Sequence, residues 1–574
     1  MKGQSKETKR RLERFRELYS SALLASEGMR EAMQRNMDQY LGSDEIDGST
    51  ERATIVRNIT FEVIESEVGA EIPIPKVDAG LYSPRRDENA RAVERLTSAI
   101  RSRLPFEELN DLDERYTYVM GGSIFYVEWD STGKSGGEGG VRVHLISPMN
   151  FIPQPSITSV SDMDYCFIRF VTTRGELMTK YGISEDEIGL AECEYAADLD
   201  DPTSDAVALV VAFYKDECGR VGKLVFSGEL ALVDLPNYYK RKRVVCKSCG
   251  ESGEICHCDE PRLQITDIDT ERVSLGDGSE IEIPYYVPED FPIIIRKNTI
   301  GEGGLFGGSD CERIRPQQQA INKVESRILQ KLLRAGVTPI IPEGTAIVPT
   351  NTVFGQVIRT RPGESVASFG KIDTTPDIKQ DVEEANRLYD QAKRVLGISD
   401  ALQGLDTATS ESGYARQLKI ARSSSRLETK KRMKQLAYCR LYELIFRHYL
   451  AFADQPQKLA YRDSLGQVSY SEFNRFDFIE RDKSGGYYYD DSYLFSVETQ
   501  PQTEYQSESL WEINLTNLER GTLGDKTSYK TLLRYWQLQD KANFPNAREN
   551  VEYFQNLIKN ENNNESEKIN EKEG

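Results

Sequence analysis

Four cysteines crowd into one short stretch, VVCKSCGESGEICHCDE, at Cys246, Cys249, Cys256 and Cys258. Cys246 and Cys249 form a CxxC followed by glycine, a knuckle in which backbone amides can face a thiolate. Cys256 and Cys258 return after a short turn containing Gly253. Four thiolates can close a tetrahedral Zn2+ site. His257 can stand in for Cys256 or Cys258 as a ligand. A usual zinc ribbon has CxxC on both sides, whereas the second half here is CxC after a short spacer. The ligand set therefore stays open, and four reduced thiols are the alternative. Bound zinc would staple an exposed excursion too small for a core of its own. That chemistry is structural.

Catalytic chemistry finds less to work with. The chain has only three histidines, His144, His257 and His448, which leaves little scope for imidazole acid–base work. The string TGKS imitates a phosphate loop, but position 128 is Glu where that loop needs Gly, and a strand follows instead of a helix. No nucleophile elbow and no paired-carboxylate motif stands out, so the chain is not expected to be an enzyme. The nine cysteines are odd in number and MKGQSKETKRRLERF lacks an apolar leader, which argues against a disulfide framework and a secretory signal. Cys166, Cys193, Cys218, Cys311 and Cys439 are dispersed and read as core residues.

Residues 303–453 organise the rest. Ser309-Asp310 suits a helix cap, and Pro316 reads as a first-turn residue. Ile314, Ile321, Val324, Ile328 and Leu332 then recur on one helical stripe. A second stripe runs through Ile378, Val382, Ala385, Tyr389, Ala392 and Leu396, with Asp377 and Asp381 at its N-terminal end. Between them, Pro339, Pro342, Pro349 and Pro362 forbid a helix, while Val353, Val357, Ile358, Val366 and Phe369 favour short strands. A polar loop follows, and then a helix free of Pro and Gly that is basic over 416–434.

Before this module, the spacing predicts helices over 6–41, 51–69, 88–104 and 106–120. A hairpin of SIFYVEWD and VRVHLISP follows, then further strands with a short helix near 174–182. Asp277-Gly278 suits another hairpin turn. The basic start (Lys6, Lys9, Arg10, Arg11, Arg14, Arg16) reads as a solvated helix end or a contact for DNA or an acidic neighbour. After the module, KLAYRD, FDFIERD and YYYDDSYLFSV return to strands. Tyr487, Tyr488, Tyr489 and Tyr493 there suit a half-buried face or, less simply, base stacking. Three helical stretches and the polar tail KNENNNESEKINEKEG end the chain, the tail reading as disordered. The fold class is α+β. Net charge is 73 − 93 = −20, which argues against a generic nucleic-acid binder and suits either plain solubility or a surface along which DNA slides. No run of about 18 apolar residues predicts a membrane span.

The order of helix, β excursion, helix, polar loop and long helix resembles the portal proteins, or head-to-tail connectors, of tailed bacteriophages. GGLFGGSD, PQQQAIN and the SGYA that opens the long helix carry the resemblance. It implies a wing over 1–302 with the cysteine-rich insertion at 244–260, a first stem helix over 303–336 and a clip over 337–375. A second stem helix spans 376–397, a tunnel loop 398–412 and a long helix 413–453. A β return over 454–508, a helical crown over 509–558 and the tail 559–574 complete it. It further implies a homo-oligomeric ring, twelve subunits in that family, at one vertex of a capsid, assembled in the host cytoplasm and resident in the virion. Double-stranded DNA would pass through it during packaging and ejection. The large terminase and then a head-completion adaptor would dock on the clip, and major capsid and scaffolding proteins would surround the ring. Gln403, Asp406, Thr407, Ser410, Glu411 and Ser412 would line the constriction. Arg416, Lys419, Arg422 and Arg426 would either pair with acidic stem residues such as Asp381, Glu383 and Glu384 of a neighbour or form a belt touching phosphates. The rival reading is a zinc-containing nucleic-acid-binding or processing factor with the basic helix as its contact.

Overall fold

The computed structural model describes residues 6–558, apart from 44–56, 70, 81–82, 132–138, 185–186, 188, 190, 192–205, 241, 247–262, 268–269, 275–279, 300–303, 334–336, 341–345, 349–356, 360–369, 374–375, 399–412, 463–467, 499–503, 542–543, 545–546, 548 and 552. Helices and strands are mixed, as an α+β chain requires.

The N-terminal arm is two helices, α1 (Lys6–Ala25) and α2 (Glu27–Leu41), where the sequence suggested one. They meet at Ser26, whose N–H still donates to the Ala22 carbonyl and whose carbonyl still accepts from Arg30. Helix α1 lays Leu12, Phe15, Tyr19 and Ala22 on a five-stranded antiparallel meander. Its strands are Phe151–Pro153, Tyr165–Thr173, Ala206–Lys215, Val221–Ser227 and Leu230–Leu235. Strand Ala206–Lys215 is apolar at nearly every position because both its faces are covered: Val210 and Ala212 meet α1, while Leu209, Val211 and Phe213 enter the main core.

Helices α3 (Ile59–Glu65), α4 (Pro84–Arg103), α5 (Phe106–Met120) and α6 (Arg174–Tyr181) complete the first part. Helix α5 leads through Gly121 into Gly122–Asp130, the middle strand of a sheet ordered Ile293–Lys297, Gly122–Asp130, Gly140–Ile146. This sheet divides the core. Ile124 and Tyr126 face one cluster, and Phe125 and Val127 face the other. Gly121 has φ +87°, and a side chain there would strike the Gly307 carbonyl. That contact accounts for GGLFGGSD: Leu305 and Phe306 plug the core while Gly307 lets two backbones touch, its N–H donating to the Gly121 carbonyl at 2.9 Å.

Helix α7 (Asp310–Leu333) and helix α8 (Lys379–Leu396) lie side by side. Between them, Val337–Ile340 pairs with Gly370–Asp373, and Ala346–Val348 pairs with Val357–Arg359, both antiparallel. Helix α9 (Gly413–Phe452) follows. Its last four turns bury Tyr438, Leu441, Tyr442, Ile445, Phe446, Tyr449 and Leu450 in the second core cluster. The chain then returns to its start: Leu494–Glu498 pairs with Ile74–Asp78, where Pro75 sits in a two-stranded ribbon that tolerates it. FDFIERD, expected as a strand, is a 3-10 turn at Arg475–Phe478 before the short strand Ile479–Arg481, because the Asn474 side chain caps the turn at Phe476. Helices α10 (Glu504–Glu519) and α11 (Tyr529–Lys541) pair through Trp511, Tyr535, Trp536 and Phe544.

Pro316 is the seventh residue of α7 and not part of its first turn, since helical geometry starts at Asp310. Ser309 acts as the cap, accepting from the Glu312 N–H and donating to the Val119 carbonyl. The stripe of α7 is buried through Ile314, Ile321, Val324 and Ile328, but Leu332 turns outward. On α8 the inward residues are Ala385, Leu388, Ala392 and Leu396, while Val382 is exposed. Replacing Ile321 with Ala should cost about 2–5 kcal/mol in denaturant unfolding. Lys323→Ala, on the exposed side of the same helix, should change stability by less than about 0.5 kcal/mol. Equal effects would contradict the pairing of α7 with α8.

Candidate functional site

The α7–α8 pair is a two-helix rod. Lys331 and Arg327 of α7 both bind Asp381 at the start of α8, the latter at 2.8 Å. Farther along, Arg57 reaches Glu325 and stacks on Tyr389, which also touches Glu62. The order of these contacts makes the helices antiparallel. Ile59 and Val63 of α3 close the apolar seam at the body end. Two of the three acidic residues expected to await a neighbour's basic side chains, Asp381 and Glu384, are engaged at home. Asp381 takes Arg327 and Lys331, and Glu384 takes Arg387 one turn away at 2.6 Å.

A polar seam fastens the rod to the body. Gln318 accepts from the Thr60 N–H at 3.1 Å and donates to the Arg57 carbonyl at 2.8 Å. Gln39 donates to the Cys311 carbonyl at 3.0 Å and accepts from Arg315 at 2.9 Å. Arg315 also reaches Asn36. These bonds join α2 and α3 to the first three turns of α7.

Deeper still lies a cluster of buried charges. Arg296, in the strand Ile293–Lys297, binds Asp113 and Glu114 of α5, the latter at 2.7 Å. Glu114 also accepts from Lys434 at 3.0 Å, the Tyr118 hydroxyl at 3.0 Å and the Gly69 N–H at 3.1 Å. Lys434 donates to the Glu71 carbonyl as well. Lys430, four residues before it on α9, binds Glu67 and donates to Asp310 at 2.8 Å. Asp310 accepts from Asn298 at 2.8 Å. Burial alone would raise the Glu114 carboxyl, but Arg296 and Lys434 outweigh it and hold the group at about 2. Burial and then Asp310 push Glu67 the other way, up to about 8, despite Lys430.

Lys430 and Lys434 belong to the basic stretch read from the sequence as a surface feature. Both are inside, whereas Arg432, bonded to Glu428, is exposed. The side chains of Arg416, Lys419, Arg422 and Arg426 lie outside the described residues, as do Gln403, Asp406, Thr407, Ser410, Glu411 and Ser412. Cys246 ends the strand Lys242–Cys246, whose backbone pairs with Leu263–Asp267 so that Cys246 stands opposite Leu263. Cys249, Cys256, His257 and Cys258 lie outside the described residues. The register puts Cys246 and Leu263, the residues on either side of 247–262, opposite each other. Among the other cysteines, Cys166 and Cys311 are buried and Cys439 half-buried, but Cys218 is exposed, because it falls in the tight turn where the Gly219 N–H closes onto the Asp216 carbonyl. Cys193 lies outside the described residues. Tyr489 and Tyr493 are buried while Tyr488 is exposed, so the tyrosine-rich ribbon is a half-buried face.

Sequence reasoning missed Glu67, Asp113, Glu114 and Arg296. A signal was there: Leu109, Asp113 and Thr117 share one stripe of α5, and Arg296 follows three isoleucines in a strand. A charge at an apolar position is the mark of a buried pair. No family model matches this chain, and no curated protein matches it.

Arg296→Met would strand Asp113 and Glu114 in the interior and should cost about 3–5 kcal/mol in unfolding measurements. The acid limb has a defined sign. Glu114 lies below its ordinary value of 4.5 in the folded chain, so its contribution is present above pH 4.5 and is lost as pH falls towards about 2. Glu114→Gln should flatten that limb of a stability-against-pH curve. An unchanged acid limb would show that the cluster does not stabilise the joint.

Proposed function

We propose that this chain is a structural portal protein of a tailed bacteriophage. Copies of it form a ring at one capsid vertex through which double-stranded DNA is packaged and ejected. The observation that carries the reading is the antiparallel rod α7–α8, tipped by short β ribbons at 337–340/370–373 and 346–348/357–359 and followed by a 40-residue helix that returns to the body's core. In this reading the body is the wing, the rod is the stem and the ribbons are the clip that receives the terminase and later an adaptor. The chain's role is mechanical and needs no catalytic group.

One feature of the rod and the charge of the whole chain support a ring. Leu332, Leu333 and Val382 at one end of the rod and Val395 at the other are 49%, 69%, 41% and 44% exposed, large apolar side chains that a lone rod leaves in water. A heterologous ring covers such surface by setting one face of each copy against a different face of the next. The net charge of −20 suits a channel that guides DNA without holding it. The rival, a zinc-containing nucleic-acid-binding factor reading DNA with α9, loses two of its cations, since Lys430 and Lys434 are buried on carboxylates.

Electron micrographs of the purified protein should show rings with a central hole. Leu333→Lys with Val382→Lys should abolish the rings while leaving the circular dichroism spectrum of the subunit intact. Solitary particles at every concentration and salt tried, or salt-sensitive DNA binding by a monomer, would overturn the reading.

The ribbon Lys242–Cys246/Leu263–Asp267 is assigned a structural zinc held by Cys246, Cys249, Cys256 and Cys258. Metal analysis should find about one zinc per chain, as four-thiolate sites bind. Cys249→Ser should lower that content without dispersing the rings. A zinc-free wild-type protein would rule the site out.

A further inference from the structure

Seven charged side chains are closed off from water where α3, α5, α7, α9 and the strand Ile293–Lys297 meet. Glu67, Asp113, Glu114 and Asp310 are the acids, and Arg296, Lys430 and Lys434 the bases, each less than a tenth exposed. The balance is three minus four, or −1. Arg313 approaches Asp310 at 3.5 Å, but it is 43% exposed and also donates to Thr299, so it sits at the water's edge. An uncompensated charge in such a place is costly, and taking up one proton removes it.

The hydrogen bonds single out one carboxylate. Asp113 meets Arg296 through one oxygen and the Ser123 hydroxyl through the other. Glu114 takes Arg296 and Lys434 on one oxygen and the Gly69 N–H and Tyr118 hydroxyl on the other. Asp310 takes Lys430 and Asn298. Glu67 takes Lys430 on Oε2, while its Oε1 is buried with no hydrogen-bond partner among the described residues. An anionic oxygen left bare is the least favourable of these arrangements, so the proton belongs on Glu67.

We propose that the joint of α3, α7 and α9 is a proton-coupled latch, in which Glu67 is held protonated while the joint is closed and gives up its proton to water when the joint opens. The step is a plain acid dissociation: the O–H bond of the carboxyl breaks, and the electron pair stays on the carboxylate. Every charged or titratable group facing the site takes part in the balance. Glu65 and Glu71 flank it on the α3 segment, and Asp113, Glu114, Arg115 and Tyr118 face it from α5. Arg296 comes from the strand, Asp310 and Arg313 from α7, and Lys430, Lys434 and Tyr438 from α9. Tyr118 also lies under the Lys430 ammonium at 4.9 Å. The latch is a property of a single chain and stands whether or not copies of it form a ring.

The direction follows from linkage. In the closed joint Glu67 sits at about 8, above its ordinary 4.5. The closed state therefore keeps a proton that the open state surrenders, and opening becomes easier as pH rises from 4.5 to 8, by up to about tenfold per unit. Above 8 both states are ionised and the dependence ends.

Hydrogen exchange of the full-length protein tests this. Once the intrinsic pH dependence is removed, opening at residues 59–68 and 311–318 should grow by roughly fiftyfold between pH 6 and pH 8. In Glu67→Gln it should stay flat. Infrared spectra at pH 6 should show a protonated-carboxyl band that Glu67→Gln removes. Asp310→Asn balances the charges three to three, and it should remove the same band by letting Glu67 ionise in place. Identical exchange profiles in wild type and Glu67→Gln would overturn the latch. So would a band that survives Glu67→Gln, or one that survives Asp310→Asn.

Discussion

The structure depends on burying charges that cannot be left unpaired. Arg296, Glu114 and Lys434 tie a central strand, α5 and the long helix together inside the protein, and Lys430 extends the tie to Glu67 and Asp310. Each ion placed there costs several kcal/mol of solvation, which only a well-placed partner offsets. Such a cluster adds little net stability compared with apolar packing. What it does is exclude other arrangements, because sliding any one element would strand a charge. The start of α7 is thereby located relative to the body, and the rest of the rod follows from that point.

The rod itself is held by simpler means. Its seam is aliphatic and narrow, with Ala385 and Ala392 letting α8 approach Ile321 and Ile328 closely. Its distal end is closed by Asp381 between Arg327 and Lys331, and the Asp381 charge lies in the first turn of α8, where the helix dipole favours it. Leu332, Leu333, Val382 and Val395 remain exposed on its outside. The return of the chain through α9 into the second core cluster, and the pairing of Leu494–Glu498 with Ile74–Asp78, make the body one unit from which the rod projects.

Most of the helices and several hairpins were legible in the sequence because their apolar spacing is local. Ile314 to Ile328 announces a helix face, and the two strands of SIFYVEWD and VRVHLISP alternate as a hairpin should. The failures share a cause. Pro316 looked like a helix start because position relative to a cap is a property of the folded backbone. Val382 and Leu332 looked inward because a stripe read from spacing alone has no partner to define its edge. Lys430 and Lys434 looked like surface charge because their partners are more than 300 residues away, on Glu67 and Glu114.

The amino-acid order by itself determined most of the helices and hairpins and the succession of helix, β excursion, helix and long helix, though not the break at Ser26 or the 3-10 turn at Arg475–Phe478. Those outcomes rest on contacts within a few residues: periodic apolar faces, caps, and the backbone limits of Pro and Gly. Tertiary structure alone decided which charges are internal, which face of α8 meets α7, and that the long helix is anchored to the body through lysines. Those outcomes depend on desolvation and on partners distant in the chain, and neither acts until the elements have come together.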